Sequence, residues 1–141
     1  MKKLKSIVLS IALLLVCGAV NAKTISNVEP TAKQAVSTYI DAMTHGKLAG
    51  LNDVVDKSAK FSMLRGKELL SFDKKEMLSF MSKTKNVEQA CSTTTSVVES
   101  TADVAVIKVD MKFENFTRTN YLTVANTGKG WKITNVYSVF K

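Results

Sequence analysis

The chain has one proline, one histidine, one tryptophan and two cysteines among its 141 residues, and these shortages remove whole classes of chemistry. A metal site needs several His, Cys or carboxylate ligands at close spacing. His45 and Cys91 stand far apart in the sequence, so no metal is expected. There is no Ser/His/Asp order, glycine-rich phosphate loop or Walker sequence, which argues against hydrolysis and nucleotide chemistry. No motif calls for a cofactor.

Long hydrophobic runs are scarce too. The most apolar stretch, Ile7 to Val16, falls short of the roughly 18 apolar residues that a membrane helix needs. It follows Lys2, Lys3 and Lys5 and precedes Val20-Asn21-Ala22, the small-residue ending that signal peptidase requires. Residues 1–22 therefore read as a secretory signal peptide, and the mature protein as exported to the periplasm or the medium without a membrane anchor after cleavage. Residues 23–29 read as a flexible polar leader and residues 30–141 as a single domain. About 119 residues would remain, which is room for one core.

The formal net charge of +8 falls by three when the signal lysines leave. The densest remaining groups, Lys74-Lys75 and Lys83 with Lys85, flank a helix without interleaved aromatics. That pattern is a solvated face, and no nucleic-acid partner is expected. Cys17 belongs to the signal segment; a lipoprotein reading stays open, although Val16 stands where a lipobox takes Gly, Ala or Ser. Cys91 is then alone, which rules out an internal disulfide, and it reads as a packed or half-buried strand thiol.

What is present falls into a helical half and a strand half. Pro30 opens a segment in which Ala32, Val36, Tyr39, Ile40 and Met43 recur at three- and four-residue steps, with Lys33, Ser37, Asp41 and Thr44 on the other side. His45-Gly46 ends this helix. Leu48, Leu51, Val54 and Val55 suggest a shorter one before Lys57, and Phe61 and Met63 alternate with Lys60 and Ser62 as a short strand. Asp73-Lys74-Lys75-Glu76 is a capping box, with Phe72 and Met77 placed as its hydrophobic staple. The helix it starts carries Met77, Leu78, Phe80 and Met81 and ends in Lys83 and Lys85.

From Asn86 onward the period changes to two, and Val, Thr, Ile, Tyr and Phe dominate. Breaks at Ser100–Asp103, Glu114-Asn115 and Asn126–Gly130 divide the segment into four strands of an antiparallel meander. In the second of these, Ala105, Ile107, Val109, Met111 and Phe113 share the core face. In the last, strict alternation groups Trp131, Ile133, Asn135, Tyr137 and Val139. Asn135 and Tyr137 would then point inward, where each needs a partner, a water or a ligand.

This order of elements resembles the cone-shaped α+β fold of the nuclear transport factor 2-like superfamily. The likeness is carried by Ala35-Val36-Ser37-Thr38-Tyr39-Ile40-Asp41-Ala42 with Gly46, and by Gly130-Trp131-Lys132-Ile133-Thr134-Asn135-Val136-Tyr137-Ser138. It is closest to the bacterial putative lumazine-binding protein family. The resemblance implies N-terminal helices packed on a curved, mostly antiparallel sheet, with a pocket at the open end of the cone. Tyr39, Met43, Phe61, Trp131, Asn135 and Tyr137 are expected to line that pocket, or alternatively to fill the core. Many members of the superfamily also form homodimers through the open sheet face, which implies a homodimer here.

An isomerase or dehydratase on this scaffold would need a general base inside the cone and donors for an oxyanion. Tyr39 and Tyr137 could donate, but Asp110 and Glu114 fall opposite the apolar set, and His45 reads as an exposed helix cap. The leading expectation is therefore an exported, non-catalytic domain that binds a small apolar or aromatic molecule in the cone. A homodimeric association module with a filled core is the alternative. An isomerase- or dehydratase-like enzyme is third, and it requires His45 or a carboxylate to face inward.

Overall fold

A computed structural model describes residues 30–141; the signal peptide and leader read at residues 1–29 lie outside them. The first periodic segment forms helix α1 (Pro30–His45), and its inner face buries Ala32, Ala35, Val36, Tyr39 and Ala42. One expectation changes: Thr44, read as outward, is buried. Its carbonyl accepts from the Gln89 N–H at 2.6 Å, so the chain preceding the third strand covers it. Gly46 closes the helix in the left-handed region at φ 64°, its N–H donating to the Ala42 carbonyl at 3.1 Å.

The expected second helix is a single turn, α2 (Leu51–Val54). Val55 already begins strand β1 (Val55–Arg65), far longer than the pair Phe61 and Met63 suggested. Gly66, at φ 64°, turns the chain into β2 (Glu68–Asp73). This strand has no counterpart in the sequence expectations, because Leu69-Leu70 interrupts the alternation that would reveal it.

Helix α3 (Lys74–Ser82) starts with both halves of the capping box formed: the Glu76 N–H donates to Asp73 Oδ1 at 2.8 Å and the Asp73 N–H to Glu76 Oε2 at 2.9 Å. Phe72 meets the Phe80 ring edge-on at 5.3 Å between centroids. Lys74 is not merely solvated. Its ammonium donates to the carbonyls of Asn52 and Val55 at 2.7 and 2.8 Å, satisfying the acceptors that end α2.

Strands β3 (Ser92–Ser100), β4 (Val104–Lys112), β5 (Thr117–Asn126) and β6 (Trp131–Phe140) follow with turns where the breaks place them. The sheet order is β2-β1-β6-β5-β4-β3. All neighbours are antiparallel except β1 and β6, which run parallel. Register shifts fall between Val55 and Lys60, Val97 and Glu99, and Thr123 and Val124. Such bulges bend and twist their strands, so the sheet curls around α1, which packs on β5 and β6. The alternation of β4 holds: Ala105, Ile107, Val109 and Met111 are buried.

In β6 the alternation fails, and the failure moves two candidate residues. Ile133 pairs with Val124 and Asn135 with Thr123, leaving Thr134 as the extra residue of a bulge. A one-residue insertion reverses the faces beyond it. Trp131 and Ile133 therefore point inward, but Val136 and Ser138 take the inner positions after them and are buried. Asn135 and Tyr137 turn to the outer face, opposite Thr123 and Tyr121.

Candidate functional site

Between the curled sheet, α1 and α3 lies a cavity of about 400 Å³, within the range of small-molecule sites. α1 contributes Tyr39, Ala42 and Met43, and β1 contributes Phe61, Ser62 and Met63. Phe72 and the α3 residues Met77, Phe80 and Met81 form the opposite side. Thr84 and Gln89 border it from the segment after α3, and Met111, Phe113, Arg118, Val136 and Ser138 close it from the sheet. Every methionine after Met1 is on this wall. Thioether side chains are unbranched and polarizable, so the wall can reshape around an apolar guest.

One corner is polar. Arg118 Nε donates to Asn120 Oδ1 at 3.1 Å and Arg118 Nη2 to Ser138 Oγ at 3.3 Å. Ser138 Oγ in turn donates to Asn120 Oδ1 at 2.5 Å, and Asn120 Nδ2 donates to Met111 Sδ at 3.4 Å. Asn120 and Ser138 are buried, so the triangle fixes the guanidinium from below. The guanidinium carbon also lies 5.6 Å from the centre of the Phe140 ring.

Beside this corner stands Tyr39, whose hydroxyl is buried and has no hydrogen-bond partner. Burial pushes its pKa above the ordinary 10.0, while the Arg118 charge pulls it back. A buried donor without an acceptor is costly, so Tyr39→Phe should stabilise the fold by about 1 kcal/mol. The pH dependence follows from the same shift. Because the unfolded phenol ionises first, stability is intact below pH 10 and falls as pH rises through the folded pKa. Urea midpoints measured from about pH 8 to about pH 11 should drop less in Tyr39→Phe than in the wild type. Equal slopes would remove Tyr39 as the cause.

Of the six residues expected at the pocket, Tyr39, Met43 and Phe61 lie on its wall, and Trp131, Asn135 and Tyr137 do not. Trp131 is packed in the hydrophobic core; the other two left with the β6 bulge. His45 is exposed at the end of α1, with Nδ1 2.7 Å from Thr44 Oγ1 and 3.7 Å from Asp41 Oδ1. Among the described residues neither an imidazole nor a carboxylate lines the cavity. The polar corner of Arg118, Asn120 and Ser138 is not among those six. A signal existed: Arg118 and Asn120 share a strand face with Leu122 and Val124, an apolar stripe that turns polar at one end. Cys91 is half-buried, which raises its thiol pKa and keeps it protonated. Among the described residues no helix is long and apolar enough to cross a membrane.

Helices packed on a six-stranded, mostly antiparallel curved sheet with this order define a nuclear transport factor 2-like protein, and solved structures agree. A nuclear transport factor 2-like protein of unknown function from Silicibacter pomeroyi superposes with a TM-score of 0.62 at 22% identity, over 77% of this chain and 89% of that one. Another, from Shewanella baltica, gives 0.62 at 9% identity, over 79% and 91%. A protein described as a putative ketosteroid isomerase from Shewanella frigidimarina gives 0.57 at 16% identity, over 77% and 94%. At these identities the likeness is one of fold. Residues 27–138 match the family described as "Putative lumazine-binding", and the chain belongs to that family. No curated protein matches it.

Proposed function

We propose that this protein is an exported domain that binds a small, mostly apolar molecule in the cone without transforming it. The observation that carries the reading is the cavity of about 400 Å³ walled by methionine and phenylalanine. A concave, mostly apolar space of this size with a few polar groups at one corner is the form that a small-molecule site takes. The family description and the fold support a small-molecule site. Catalysis of the isomerase or dehydratase kind has little support: Tyr39 and Arg118 could hold an oxyanion, but the wall offers no general base.

A second reading has its own observation. Among the described residues no helix is recorded on the outer face of the sheet, where Tyr121 and Tyr137 pair across β5 and β6 and Leu64 and Val139 pair across β1 and β6. A homodimer would bury this face, as the association-module reading requires, and it is compatible with an occupied cavity.

Native mass spectrometry of the protein taken from its own cell envelope or medium tests both. The expected result is a chain beginning at Lys23 that retains a small molecule. A ligand-free dimer would favour the association module, and a chain still carrying residues 1–22 would sink export by cleavage.

A further inference from the structure

We propose that the ligand of this cavity is an amphiphile with a single carboxylate head, which Arg118 and the Tyr39 phenol hold while its apolar body lies against the methionine and phenylalanine wall. The proposal rests on the small-molecule reading above and adds the chemistry of the head group.

Arg118 is permanently charged and lines the cavity. The ion pairs among the described residues are His45 with Asp41, His45 with Glu88, and Lys108 with Asp110. None supplies Arg118 with a counter-charge. The guanidinium spends Nε and one Nη2 proton on Asn120 and Ser138. Nη1 has no hydrogen-bond partner among the described residues. A half-buried cation beside an apolar wall needs an anion, and the fork of a guanidinium matches a planar carboxylate.

Tyr39 supplies the second, independent observation. It lies on the same wall, it is 1% exposed, and its hydroxyl has no acceptor. Burial keeps the phenol protonated, so it can only gain by donating to an oxygen. A neutral carbonyl would satisfy Tyr39 and leave Arg118 uncompensated. A phosphate would bring up to two negative charges against one cation. One carboxylate balances the charge and accepts from both groups.

The test uses two pairs of probes that differ only in the head: decanoate with decanamide, and naphthoate with naphthalene carboxamide. They are titrated calorimetrically into the purified protein above about pH 7, where a carboxylate is ionised. Each acid should bind about tenfold or more tightly than its amide. Arg118→Gln should abolish that preference, and Arg118→Lys should keep part of it, having charge without the fork. Equal affinity of acid and amide for the wild type overturns the head-group assignment and leaves small-molecule binding standing, with no variant needed. A preference that survives in Arg118→Gln also overturns it. Binding of none of the four probes would overturn the small-molecule reading together with the head group.

Discussion

Replacing Gly46 with alanine should cost about 3 kcal/mol or more of folding stability, among the largest losses available to a single methyl group. Two costs combine. At φ 64° a residue with a Cβ pays about 1–2 kcal/mol for the left-handed conformation. A Cβ there would also stand 2.5 Å from both the Asn86 nitrogen and the Thr84 carbonyl oxygen, and 2.8 Å from the Val87 nitrogen. These are backbone atoms that cannot rotate away. They are also tied in place, because the Asn86 N–H donates to the Gly46 carbonyl at 3.0 Å. Relieving the clash means parting the end of α1 from the segment that follows α3, and Thr84 and Gln89 of that segment border the cavity. Urea unfolding followed by Trp131 fluorescence checks the prediction. A loss below about 1 kcal/mol would mean that this junction yields easily.

Trp131→Ala should be comparably damaging, at about 3–5 kcal/mol, while leaving ligand affinity of the folded protein unchanged. Trp131 is 7% exposed and packed in the core, away from the cavity wall. Circular dichroism must follow the unfolding, since the variant lacks the chain's only tryptophan. The pairing of the two readouts matters more than either alone. A variant of nearly wild-type stability that no longer bound the naphthoate probe would return Trp131 to the site and displace the present assignment.

That contrast shows where sequence reasoning reaches. The capping box at Asp73, the helix of Pro30 to His45 and the inner face of β4 are local patterns. Each is decided by residues within one or two turns, and each could be read directly. The faces of β6 could not. Thr134-Asn135 and Val136-Tyr137 break the alternation of Trp131 to Val139, but the break does not tell a bulged strand from a regular one that carries polar residues inward. The bulge exists only in the register with β5, a relation between distant parts of the chain. Asn135 and Tyr137 were misplaced for that reason. Arg118 escaped for a different one, because one of two arginines among scattered lysines looks solvated until its strand face is known to run into the core. The methionine wall combines α1, β1, α3 and β4, and no spacing within any one of them announces it.

The parallel contact between β1 and β6 has a consequence for how the molecule assembles. The β1–β2 hairpin and the β3–β4–β5 meander can each form from neighbouring residues, but the sheet order joins them only through β6. Until that strand inserts between them the cone has no closed wall and the cavity does not exist. Folding must therefore wait on a pairing that spans most of the described chain, the kind of remote contact that slows the search.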